Sequence, residues 1–212
     1  EYLNHTAHMD SSHYHYILTW TALGRGDLPR AREHARVALQ RAEASGSPVS
    51  AAWCRQTLAH VQLEDGEVEQ ALENNRYACD WAEGAGSANT TYHGLLFQAY
   101  CALKKGDDES CAQWLRAALP LGKAQNYKTF PWIGWRRDVI VRLYIKALEQ
   151  DIETKYVQEL IRAGRFTPPA DTLIPDTWPY PVRLYTLGRF AVMLDDKPLS
   201  RASGHQKPLA LL

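Results

Sequence analysis

The residues of this chain that could carry chemistry or recognition are its eight histidines, four cysteines, seven tryptophans and eleven tyrosines. Histidines crowd the start, at His5, His8, His13 and His15. His5 and His8 stand three positions apart, a spacing that would put two metal ligands on one helix face, but no acid or cysteine completes a set. No metal site is expected. Cys54, Cys79, Cys101 and Cys111 lie too far apart for a C-x-x-C pair and fall within apolar helical patterns, so they read as small core residues. No G-x-S-x-G, H-E-x-x-H or phosphate-loop sequence occurs. A hydrolase or metal enzyme built on His13, His60 and His93 would need those three rings to converge. The expectation is a non-catalytic chain with no cofactor.

Composition narrows the class further. Lys plus Arg and Asp plus Glu stand at 24 each in 212 residues, so the whole-chain charge gives no electrostatic footprint for nucleic acid or an anionic membrane. No apolar stretch approaches the roughly 20 residues that span a bilayer, and no signal-peptide pattern opens the chain. A cytoplasmic protein without membrane contact is expected.

The elements that must position these residues repeat. Gly26, Gly66 and Gly106 stand 40 residues apart, each followed by an acid, Asp27, Glu67 and Asp107. The same offset aligns Leu23, Leu63 and Leu103, then Ala31, Ala71 and Cys111, then Ala38, Ala78 and Ala118. A glycine after an apolar helical run ends a helix in the left-handed conformation, and the acid behind it can cap the next. The small-residue columns lie seven apart, two helical turns, where a neighbouring helix can approach closely. First helices are expected near residues 10 to 25, 49 to 65 and 88 to 105, and second helices near 28 to 44, 68 to 84 and 108 to 124. Leu148, Asp151, Tyr156 and Ala163 place a fourth pair after a five-residue insertion. Extended backwards, the period puts Glu1 to Thr6 at the end of a second helix, as in a piece cut from a longer protein.

With Gly26-Asp27, Ala31, Ala38 and their copies, the pattern resembles the tetratricopeptide repeat at a wider period. The wider period is similar to the helical effector domain of MalT-like bacterial transcription regulators over residues 1 to about 164. The resemblance implies a mainly α fold, a right-handed superhelical array of antiparallel helix pairs, whose first helices line a concave face. By register, that face would carry His13, Tyr16 and Trp20, then Trp53, Gln56 and His60, then His93, Leu96 and Tyr100. Such an aromatic and imidazole-rich wall suits a peptide, protein or small-molecule effector. Aromatic stripes at helical spacing also pack between neighbouring helices, and both roles stay open. Trp132 and Trp135, beside Arg136 and Arg137, would cap either the groove or the end of the core.

After Phe166 the period changes. Thr167 to Pro181 holds Pro168, Pro169, Pro175, Pro179 and Pro181, too many for a helix or a central strand, and reads as a semi-stiff linker over 165–181. Alternation in Arg183 to Leu187 and in Phe190 to Leu194 predicts two or three short antiparallel strands, and Gln206 to Leu212 begins a helical run. Leu187-Gly188-Arg189-Phe190, Pro198-Leu199 and Gln206-Lys207-Pro208-Leu209 resemble the start of the OmpR-like winged-helix domain of bacterial transcriptional activators. Asp196 stands where that family often has glycine. The resemblance implies a truncated small sheet and first helix over 182–212, with the recognition helix and wing beyond Leu212.

Together these readings describe the effector-sensing middle of a transcriptional regulator, reaching DNA only through the incomplete C-terminal domain. The alternative is a protein-interaction adaptor or oligomerisation scaffold that self-associates and has no direct role in transcription.

Overall fold

Glycines set the rhythm of the chain. Gly26, Gly46, Gly66, Gly86 and Gly106 have φ of 73°, 65°, 85°, 65° and 71°, a left-handed conformation that costs a residue with a Cβ roughly 1–2 kcal/mol. Each sits in a two- or three-residue turn between helices, so successive helices run antiparallel. The computed structural model describes residues 2–128, 136–170, 172–186, 191–194 and 197–199, with 2–7 as backbone. Among these residues the order is α1 (Tyr2–Gly24), α2 (Leu28–Ala44), α3 (Pro48–Glu64), α4 (Val68–Ala85), α5 (Ala88–Lys105), α6 (Asp108–Ala124), α7 (Arg137–Glu149) and α8 (Thr154–Gly164), then β1 (Val182–Tyr185), β2 (Ala191–Leu194) and β3 (Lys197–Pro198). The fold is mainly α, adjacent antiparallel helix pairs followed by a short three-stranded sheet.

The start of α1 differs from the extrapolated period. Residues 2–24 form one helix, not the end of one helix followed by another. In register, residue 6 matches Gly46 and Gly86, the left-handed turn glycines, but residue 6 is threonine. A β-branched residue does not readily take that conformation, so the helix runs through. At the far end, Asp151, 45 residues after Gly106, also has positive φ, 51°. Aspartate is among the few side chains that tolerate it.

The acids after the glycines divide by length. Asp27 and Asp107 accept hydrogen bonds from the backbone N–H of Arg30 and Ser110, whereas Glu67 makes no side-chain cap. Its longer carboxylate pairs with Arg32 Nη1 at 2.8 Å instead.

Ala31, Ala38, Ala71, Ala78, Cys111 and Ala118 are all fully buried, so the small-residue columns let second helices seat against first helices. The first helices also pack on each other across repeats, α1 on α3, α3 on α5 and α5 on α7. They form one layer and the second helices the other. Cys54, Cys101 and Cys111 are buried and Cys79 is half-buried, all as free thiols.

The chain divides into two compact units, Glu1–Pro175 and Asp176–Leu212. In the second, β1 pairs antiparallel with β2 and β2 with β3. The stretch from Leu187 to Phe190, Asp195-Asp196 and the run from Gln206 to Leu212 lie outside the described residues, as do Trp132 and Trp135.

Candidate recognition site

The residues proposed for the wall fall at different depths. His13 is exposed, Tyr16, Trp20 and Trp53 are half-buried, and Gln56, His60, His93, Leu96 and Tyr100 are buried. Helical spacing put them on one face of each first helix; burial separates a rim from a floor. Five of them, Trp20, Trp53, Gln56, His60 and His93, line one cavity with Thr57, Asn75 and Phe97. Its volume is about 10 Å³, room for a single water molecule. His13, Tyr16, Leu96 and Tyr100 lie outside that lining.

His60 on α3 is enclosed by rings from the two flanking first helices, α1 and α5. Its centroid lies 5.3 Å from that of Trp20, 4.8 Å from Phe97 edge-on, and 6.5 Å from Tyr100 in a stacked pose. Burial alone pushes its pKa down to about 3, because no carboxylate compensates the desolvated imidazolium. His93 falls to about 3 as well, through burial first and the neighbouring His60 second. Both rings are neutral at physiological pH. With His13 exposed and outside the cavity, the three histidines do not converge on one centre.

The cavity floor is polar. Asn75 on α4 is fully buried, and its Nδ2 donates to the carbonyl of Gly94 at 3.2 Å. Its Oδ1, like His60 Nδ1, is buried without a hydrogen-bond partner among the described residues. Gln56 Nε2 donates to the carbonyl of Thr90 at 3.0 Å and Trp53 Nε1 to Thr90 Oγ1 at 3.3 Å, which holds the rim indole against α5. Asn75 lies on a second helix, outside the wall expected on the first helices. Its signal was nonetheless present, since the column Ala35, Asn75 and Leu115 is otherwise apolar.

A second polar cluster also lay outside the predicted wall. Glu64, at the end of α3, accepts from the hydroxyl of Tyr100 and pairs with Arg136 Nη1 at 2.8 Å and Lys104 Nζ at 3.5 Å. Arg136 in turn pairs with Asp138 at 2.8 Å. These hydrogen bonds and charges hold the Arg136 guanidinium above its ordinary pKa, with Asp138 the largest cause. Glu64 and Lys104 share one register column, an opposite-charge pairing visible at the 40-residue offset.

The thiols offer no nucleophile. Burial raises Cys54, Cys79 and Cys111 to about 11 and Cys101 to about 12, so the thiolate is negligible at neutral pH. His15 and His34 bring their Nδ1 atoms within 3.1 Å, but no group of three or more potential metal ligands forms among the described residues. No described helix is long and apolar enough to cross a membrane.

No family model and no curated protein matches the chain. Among solved structures it is similar to the crystal structure of the apo form of RapI, with a TM-score of 0.52 and 14% identity. The match covers 74% of this chain and spans 56% of that one. At this identity the likeness shows a shared helical-repeat fold alone.

Proposed function

We propose that this chain is the effector- or partner-sensing repeat unit of a bacterial transcriptional regulator, relaying binding at the layer of first helices to an adjoining DNA-binding domain. The observation that carries the sensing role is the cavity beneath Trp20 and Trp53, lined by His60 and Asn75, whose Nδ1 and Oδ1 have no hydrogen-bond partner among the described residues. An unsatisfied buried polar group costs about 1–3 kcal/mol. A ligand hydroxyl or amide N–H that takes the place of the one water the cavity can hold and donates to Asn75 Oδ1 recovers that cost, and the two indoles supply apolar contact around it. No charged side chain lines the cavity, which favours a neutral donor such as an amide or hydroxyl over an ion.

The pocket is assembled from α1, α3, α4 and α5, so occupancy biases how successive repeats pack. That is coupling by population shift, with no covalent step. The transcriptional part rests on the order of segments: helix pairs, a proline-rich stretch, then an antiparallel sheet whose flanking sequence resembles the OmpR-like winged helix. In this reading residues 1–164 sense, 165–181 link, and 182–212 begin the DNA-binding domain.

Selection of random DNA duplexes by the full-length gene product tests it. One enriched sequence is expected, with Trp53→Ala altering the effector dependence of that binding at unchanged helicity. No enriched sequence would overturn the transcriptional role, and an unaltered effector response would overturn the site.

A further inference from the structure

The layer of second helices holds two trenches that should be equivalent by the 40-residue register and are not. The first lies between α2 and α4 over α3, and the protein fills it with its own side chains. Arg55 rises from α3 with its guanidinium carbon 4.2 Å from the centroid of the Tyr77 ring. It donates to Glu43 Oε1 at 2.7 Å and to Asn74 Oδ1 at 3.1 Å. Asn74 is held by Gln62 at 2.9 Å, and Arg32 spans the same trench to Asp65 and Glu67.

Adding 40 to each number describes the second trench, between α4 and α6 over α5. Arg55 becomes Leu95, Tyr77 becomes Ala117, Arg32 becomes Leu72, Gln62 becomes Ala102 and Asn74 becomes Trp114. Both arginines that plug the first trench are lost. A cavity of about 610 Å³ opens there, with Leu72 and Cys79 of α4, Gly94, Leu95 and Gln98 of α5 and Trp114 of α6 among its lining residues. Glu69, Glu73 and Arg76 of α4 complete the lining, two carboxylates against one guanidinium.

We propose that this second trench receives an arginine side chain from a partner protein or peptide. The filled trench shows what this architecture accommodates: a guanidinium lying on an aromatic ring and hydrogen-bonded to a carboxylate. The open trench supplies the same two complements from other positions, the Trp114 indole in place of Tyr77 and Glu69 and Glu73 in place of Glu43, and has leucines where the two plugging arginines stand in the first trench, its own Arg76 lying on α4 beside the carboxylates. Indole is the strongest aromatic partner for a cation, a carboxylate fits the guanidinium fork, and Leu72 and Leu95 take the methylene stem. This site lies on the second-helix layer and is independent of the first-helix pocket.

The test uses Nα-acetyl-arginine methylamide as probe, with its citrulline and norleucine counterparts, on the full chain. The readout is the Trp114 indole N–H resonance, assigned by its disappearance in Trp114→Phe. The arginine probe should shift that resonance saturably, with a Kd in the millimolar range, and bind about fivefold or more tightly than either counterpart. Leu95→Arg, which restores the plug of the first trench, should abolish the shift. Glu69→Gln combined with Glu73→Gln should weaken it about fivefold or more and remove its salt dependence. Equal or tighter binding of norleucine would overturn the proposal, as would a saturable shift that survives Leu95→Arg or is unaffected by loss of both carboxylates.

Discussion

His60 and His93 are neutral because their surroundings are rings and amides, and this ties stability to pH in a definite direction. Their folded pKa values, about 3 for both, lie below the unfolded value of about 6.5. Above pH 6.5 neither state takes the proton and stability is unaffected. As pH falls from 6.5 towards 3 the unfolded chain binds protons that the folded chain refuses, so stability declines. Thermal melts should show Tm decreasing over that range, with a shallower decrease in His60→Gln; an equally steep decrease in the variant would contradict the assignment. Glu64 supports a second residue-scale prediction. Glu64→Gln keeps an acceptor for Tyr100 but removes the charge opposite Arg136 and Lys104, and should cost about 1–2 kcal/mol by urea denaturation. Tyr100→Ala, although Tyr100 is a member of the predicted wall, would hollow the core instead, since Tyr100 is 2% exposed.

Helices and turns follow from a few positions in each repeat. Gly66 has φ of 85° and nothing near the site a Cβ would occupy, so Gly66→Ala meets only backbone strain. It should lose about 1–2 kcal/mol, lowering Tm by a few degrees. Gly24 has equally open space but no positive φ. Gly24→Ala should therefore hold or raise Tm by restricting the unfolded chain. Calorimetry on the pair separates conformation from packing, because space is free at both. The sequence made the glycine and alanine columns legible because each reflects a local requirement: one backbone angle, or one close helix approach. Position 6 escaped the extrapolated period because it has threonine where the turn needs glycine.

At the scale of the whole molecule, the Glu1–Pro175 unit has its own buried core. A fragment ending at Pro175 should keep the helical circular dichroism of the full chain and unfold cooperatively. Loss of cooperativity would show that the helix pairs depend on the segment after Pro175. Within this unit, repeats that share a framework have diverged in what they present. The filled and open trenches differ at Arg55 and Leu95, and at Tyr77 and Ala117, all outside the glycine and alanine columns. The framework positions set how helices stack, and the positions between them set which surfaces are left available.

By itself the sequence determined the period, the pairing of helices, the turns and the alternating strands near the end. All of these are recorded by residues close in the chain, through backbone angle, side-chain size and periodicity. It also proposed one face of each first helix as a wall. Only the tertiary structure decided depth along that face: His13 in solvent, Trp20 and Trp53 at a rim, His60 and His93 beneath it. Depth is set by neighbouring helices, so spacing within one helix carries no record of it. Asn75 illustrates the same limit. It reaches the cavity from α4 because α3 and α5 pack on either side of it, a meeting of three helices that the spacing within any one of them does not specify.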